Sequence, residues 1–354
     1  MRLFPPLRPN FDAALRDVRA KDPTLRAAAA ERLGDAPTDR VEEARAALRA
    51  MLEDRSGAVR AQAMASLART KDATALDAIL ARFEDGDPTV RQVALIAAAE
   101  LGDRAALPAL KEALASDRPE VRFQAVASIA LLAPDEAAEA LSVRVDDPDT
   151  EVRAHLADAL GALEDPRAAE TLAALLDDDA PHVARGAAIG LARLGDARGV
   201  PQLIVALDDR DRCLEAAWAL GELKAAEARE PLARLAGSFL KPLAFKAAAA
   251  AALVRLGDER GVPALRGVLG ALRWDARSYA VQLVGELRAT ELAPELAALA
   301  RRPRGTDPVV LAEALAKLAP ESDTAYAGLR TLALRDDEAG ERALELLEQT
   351  ASAS

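Results

Sequence analysis

The chain has 354 residues, 51% apolar but only 3% aromatic, so Ala, Leu and Val must build its core. The 46 basic and 58 acidic residues give a net charge of −12, which argues against a general binder of nucleic acid or anionic membrane, since both need basic surfaces. The single cysteine, Cys213, excludes an intrachain disulfide.

Residues 1–9, within MRLFPPLRPN, read as a Pro-rich tail with no apolar run of signal-peptide length. No later stretch reaches the ~18 apolar residues of a membrane span. The expectation is a cytoplasmic monomer that binds neither membrane nor nucleic acid. From residue 10 the sequence becomes periodic. Val-Arg recurs at Val59-Arg60, Val90-Arg91, Val121-Arg122 and Val152-Arg153, in steps of 31, and Val183 follows after another 31. An Asp after each helix break returns at Asp72, Asp103, Asp135, Asp165, Asp196 and Asp258.

Each period divides into two helices. The first is short and follows its capping Asp, as from Asp103 to Ser116, with Leu107, Leu110 and Leu114 at helical spacing. The second opens at an Asp-Pro turn, as from Pro88 to Leu101, because proline suits the first helical position. Gly102 ends it, and Gly34, Gly195 and Gly257 have the same role in their own repeats. Val90, Ala98 and Leu101 are expected in the core. Neither helix buries its apolar face alone, so successive pairs must stack. About eleven pairs fit between residues 10 and 349, as one domain without an internal boundary. The first repeat is shortened and closes at Arg32 and Leu33, residues 336–354 form a charged final hairpin and tail, and 350–354 are the tail proper.

The units DGDPTVRQVALIAAAELGDRAALPAL and DDAPHVARGAAIGLARLGDARGVPQL resemble HEAT repeats. The segments GDARGVPQL and GDERGVPAL are similar to the short subtype first named in phycobilisome lyases. This resemblance covers nearly the whole chain. It implies an all-α, right-handed α-α superhelix whose second helices line a concave, ligand-binding face. It does not imply lyase activity, because most arrays of this type are adaptors.

Some recurrent residues have a structural reading. Arg60, Arg91, Arg122 and Arg153 share one offset beside Asp54, Asp85, Asp117 and Asp147, which predicts an Arg–Asp ladder along the turns. The ladder breaks at Ala184 and Cys213, and positive charge returns at Lys246 and Arg277. Cys213 reads as an inert buried thiol. Ten residues after each Val position stand Arg69, Glu100, Leu131, Ala162, Arg193, Glu222, Arg255 and Glu286. Their alternating signs predict pairing between neighbouring helices, each exposed pair contributing about 0–1 kcal/mol.

That alternation stops at Leu131 and Ala162, and the gap marks the expected partner-binding face. Ile96, Phe123 and Leu131 gather on repeats three and four, and Ile189, Leu214 and Trp218 on repeats six and seven. Gln92, Gln124, His155, Asp158, Arg185, Arg193, Glu215, Glu222 and Tyr279 complete the set. An apolar patch with a polar rim fits an amphipathic or extended segment of another protein.

No catalytic, cofactor or metal site is expected. His155 and His182, near Asp158 and Asp179, have no zinc spacing, and no phosphate-binding glycine motif occurs. The reading is a non-enzymatic interaction scaffold. The repeat subtype alone carries the alternative of a phycobilin-lyase-like or chaperone-type subunit acting on a chromophore protein. A DNA-handling HEAT-like protein would need a basic groove with stacking aromatics, against the charge of −12.

Overall fold

The computed structural model describes residues 11–302 and 305–352, and every regular element among them is helical. They form eleven helical hairpins in two compact units, Met1–Gly190 and Leu191–Ser354. In the first unit α1 (Phe11–Asp17) pairs with α2 (Pro23–Leu33), α3 (Val41–Met51) with α4 (Gly57–Arg69), and α5 (Leu76–Leu80) with α6 (Pro88–Leu101). Then come α7 (Leu107–Ala113) with α8 (Pro119–Leu132), α9 (Pro134–Ser142) with α10 (Thr150–Ala162), and α11 (Ala169–Ala174) leading into α12 (Pro181–Arg193). The last three residues of α12 belong to the second unit.

The second unit holds α13 (Val200–Ala206) with α14 (Cys213–Glu222), α15 (Arg229–Gly237) with α16 (Leu243–Arg255), and α17 (Gly261–Leu269) with α18 (Trp274–Leu287). It ends in α19 (Ala293–Arg301) with α20 (Pro308–Leu318), and α21 (Asp323–Leu332) with α22 (Glu338–Ser352). Within each unit the even-numbered helices pack side by side, α2 through α10 and α14 through α22. This is an α-α superhelix of HEAT-like hairpins. The final helix takes in residues 350–352, which the sequence had suggested were tail. Residues 1–9 and 353–354 lie outside the described residues.

The local chemistry follows the repeat. Asp72, Asp103, Asp165, Asp196 and Asp258 accept backbone N–H bonds from the residue two positions on and so start the first helices. Asp135 instead sits inside the first turn of α9, after Pro134. Val59, Val90, Val121 and Val152 are buried, with Leu95, Ala98 and Leu110 around them. Leu101 is only half-buried, because it is the last helical residue before the chain turns out at Gly102. Gly102, Gly195 and Gly257 adopt left-handed φ values of 80°, 74° and 67°, whereas Gly34 stays right-handed at −64°. The same left-handed step is taken by Lys71, Glu164, Lys224 and Arg288.

The arginine ladder exists, with a different register from that read in the sequence. Arg60, Arg122 and Arg153 do not pair with the carboxylates of their own turns but with Asp85, Asp147 and Asp178, one repeat further on. Arg122 donates from Nε (2.8 Å) and Nη2 (2.7 Å) to the two oxygens of Asp147. Nη1 of each arginine reaches back to its own turn, to the carbonyls of Asp54, Ser116 and Asp147. Each acceptor carboxylate also takes a backbone N–H of its own turn, as Asp147 does from Asp149 at 3.0 Å. Arg26 adds an earlier rung to Asp54 at 2.7 Å. Arg91 is the exception: Ser116 occupies the acceptor position, so Arg91 binds Glu120 at 2.7 Å, and Asp117 is not used.

Candidate functional site

The face lined by the second helices is set by i, i+4, i+8 spacing, which keeps three side chains of one helix on one side. In the first unit these stripes are Gln92, Ile96, Glu100 on α6, then Phe123, Ala127, Leu131 on α8, then Ala154, Asp158, Ala162 on α10. The α8 stripe is wholly apolar. Leu131 is 62% exposed, Ala162 is exposed, and Ile96, Phe123, Ala127 and Ala154 are half-buried. Leu131 and Leu132 form one wall of a pocket of about 760 Å3 with an alanine floor of Ala65, Ala68 and Ala99. Arg69, Lys71 and Glu100 provide its polar edge.

At the other end of the stripe, Phe123 stacks on His155, with ring centroids 4.1 Å apart and planes 16° from parallel. Burial pushes the His155 imidazole below its ordinary pKa, against the opposing pull of Asp158. A neutral ring is therefore the stable partner for Phe123 at pH 7. His155 is thus a packed residue that also feels the charge of Asp158. His182 lies 3.7 Å from Glu151.

Two expected contact residues fail the test of access. Gln124 is 9% exposed and Ile189 is 3% exposed, so neither presents a side chain to a partner. For Ile189 the cause is a close helix approach: a Cβ on Gly190 would stand 3.0 Å from the Cα of Gly161, so α10 and α12 meet through two glycines. Gln92 is exposed and Arg185 half-buried on the same side.

In the second unit, Leu214, Trp218 and Glu222 form an exposed stripe on α14, with Trp218 at 43%. Glu215 lies beside them, 3.2 Å from Arg212 and 3.9 Å from the exposed Arg193. Tyr279 on α18 is half-buried, and burial raises its phenol pKa. Of the expected alternating pairs, Arg255 and Glu222 meet at 2.8 Å, whereas Arg69 pairs with Asp35 instead of Glu100. Cys213 is buried and its thiol is pushed up to about 11 by that burial, so it stays protonated at neutral pH. Among the described residues no helix is long and apolar enough to cross a membrane.

The HEAT-repeat signature matches residues 13–97, 76–146 and 138–213, and the PBS lyase HEAT-like repeat matches 213–238 and 245–273. No curated protein matches the sequence. Among solved structures, importin beta is similar with a TM-score of 0.68 at 14% identity, covering 95% of this chain and 56% of its own. YibA of Escherichia coli is similar with a TM-score of 0.53 at 18% identity, over 70% of this chain and 92% of that one. Human deoxyhypusine hydroxylase, at 23% identity over 70% of this chain and 97% of its own, reaches a TM-score of only 0.31 and supports no argument. Identities this low speak for fold alone. On the repeat matches, which run through both units, the chain belongs to the HEAT-repeat family, of the PBS-lyase-like kind.

Proposed function

We propose that the protein is a cytoplasmic, non-catalytic interaction scaffold, and that the second-helix face of its first unit binds an amphipathic helix of another protein. The observation that carries this reading is the uninterrupted apolar stripe Phe123, Ala127, Leu131, ending in an alanine-floored pocket that Leu131 walls. A docked helix would lay its own apolar stripe along α8, and Gln92, Glu100, Asp158 and Arg69 would meet its polar flanks with mixed signs that fix its direction. Trp218 and Leu214 offer a second, separate apolar contact in the other unit. The 31-residue period continues in sequence past residue 190, which supports treating 10–349 as one array of repeats.

The test is affinity capture with the full chain, followed by titration of each captured protein against variants. Leu131→Asp is expected to weaken the true partner about thirtyfold or more, as loss of a central anchor does. Glu42→Ala, on the outer helix α3, is expected to leave it unchanged. Equal binding by folded Leu131→Asp and wild type rejects the face.

A further inference from the structure

The turns between first and second helices change character along the chain. Those of the first unit are rich in aspartate, whereas two successive turns of the second unit read GSFLKPL at 237–243 and GALRWDA at 270–276. Phe239, Leu240 and Leu272 are almost wholly exposed there, and Trp274 is 63% exposed. The first tip has a defined shape, because Ser238 Oγ accepts the N–H groups of Leu240 (3.3 Å) and Lys241 (3.4 Å) and turns both apolar side chains outward. Arg273 holds Asp275 at 2.8 Å beside Trp274. Since α16 packs on α18, the two tips lie about one helix diameter apart, on the order of 10 Å.

A pocket of about 440 Å3 opens next to the first tip, between α13 and α15. Ile204, Val205, Leu207, Pro231 and Leu235 line it together with Asp208 and Arg234, and Ser238 and Lys241 complete its polar side. Val205 is itself 65% exposed. One surface of the second unit therefore carries an apolar knob beside a pocket whose aliphatic side is faced by charged groups.

We propose that this surface joins two copies of the chain in a closed, two-fold dimer, with Phe239 of each copy entering the pocket lined by Val205 and Leu235 of the other. Adjacency of knob and hole is what a two-fold contact requires, because residue i must meet j while j meets i. The area also fits. Phe239 with Leu240, Leu272 and Val205 presents on the order of 500 Å2 of apolar surface, while Trp274 borders a separate pocket with residues 305–309 and 337–339. That is near the upper end of what a monomer leaves uncovered, and a polar rim extends it toward the ~800 Å2 per partner of a stable interface. That rim carries both signs, in the pairs Lys241–Asp208 (2.9 Å) and Arg273–Asp275. Across a two-fold axis cations and anions can face one another, which offsets the mutual repulsion of two chains of charge −12. This arrangement departs from the monomer expected from the sequence, and the oligomeric state decides between them.

Sedimentation velocity on the full chain is the test. At about 50 µM, ample for a micromolar dimer, the wild type is expected at twice the monomer mass. Phe239→Asp and Val205→Lys are each expected to abolish the dimer. Both side chains are exposed, so circular dichroism and melting should match wild type and separate loss of contact from loss of fold. Mixing the two variants gives a sharper result. The first supplies an intact pocket and the second an intact Phe239, so together they rebuild one contact of the two and associate, although neither does so alone. A wild type that remains monomeric overturns the proposal, as does open-ended growth into larger oligomers, the signature of a head-to-tail contact. Monomeric wild type that co-sediments with phosphatidylserine vesicles, while Phe239→Asp does not, would also overturn it by assigning the tips to a lipid surface.

Discussion

Lys71, Glu164, Lys224 and Arg288 place a Cβ where the chain steps into the left-handed region after a second helix, at φ between 49° and 54°. Such a residue there costs about 1–2 kcal/mol relative to glycine, and part of that is offset because glycine has more freedom to lose on folding. Glu164 is exposed, so removing its side chain opens no core. Glu164→Gly is therefore expected to stabilise the protein by up to about 1 kcal/mol, raising the melting temperature by about 2 °C in a calorimetric scan. These four positions also show why glycine was an incomplete marker. Gly102, Gly195 and Gly257 were legible as helix ends, but the backbone makes the same step with Lys, Glu or Arg when the turn is over-determined by its neighbours. Gly34 shows the converse, a glycine at a helix end that never leaves right-handed space.

Among the elements, the rung from α8 to the turn before α10 is the most enclosed, with side-chain exposures of 7% for Arg122 and 0% for Asp147. Arg122→Ala would leave a buried carboxylate without its two-pronged partner and with only Arg144 near it, at 3.9 Å, a change that costs about 3 kcal/mol. Burial by itself raises the Asp147 pKa, but the Arg122 bond, the Asp149 N–H and the charges of Arg122 and Arg144 outweigh it and hold the group below 3.8. A carboxyl depressed in the folded state adds stability above its unfolded pKa and loses it as the pH falls through the folded one. The gap between wild type and Arg122→Ala, measured by urea unfolding, should accordingly be widest at pH 6 and narrow below about pH 4. A gap that does not change with pH would show that the arginine acts by packing rather than by charge. The sequence revealed that arginine and aspartate belong together but paired them within a turn. Only stacking shows that the carboxylate comes from the next repeat, because a distance of 25 residues becomes contact once hairpins lie side by side.

At the scale of the molecule, the periodic Val-Arg and Asp-Pro signals were enough to read an all-helical array, since each marks a helix end or a buried seam that recurs through the hairpins of the first unit. The candidate site was less legible. Leu131, Phe123 and Trp218 could be placed on the second-helix face from spacing alone, but Gln124 and Ile189 could not be removed from it. Their burial depends on how closely two helices approach, and for Ile189 that distance is set by Gly161 and Gly190, which sit at different points of their helices. The turn tips at 239–240 and 272–274 escaped the repeat reading for the opposite reason: they are departures from the pattern, and a pattern draws attention to what conforms.

The rung has a direction, since in the first unit a hairpin owns the donor for its successor and the acceptor for its predecessor. That makes one period a unit that can be lost or copied without leaving a mismatched seam. Excision of residues 92–122 joins Arg91 directly to Phe123 and moves Asp147 to the position 25 residues beyond Arg91. The shortened chain should then close a rung like that of Arg122, with an aspartate where Arg91 now has only Glu120. It is expected to fold with undiminished helicity per residue by circular dichroism, whereas excision of 92–107, half a period, should not. A gene for such a protein can change length by unequal crossing-over between the codons of its ladder arginines, which stand 31 residues apart from Arg60 to Arg153, and still encode matched seams.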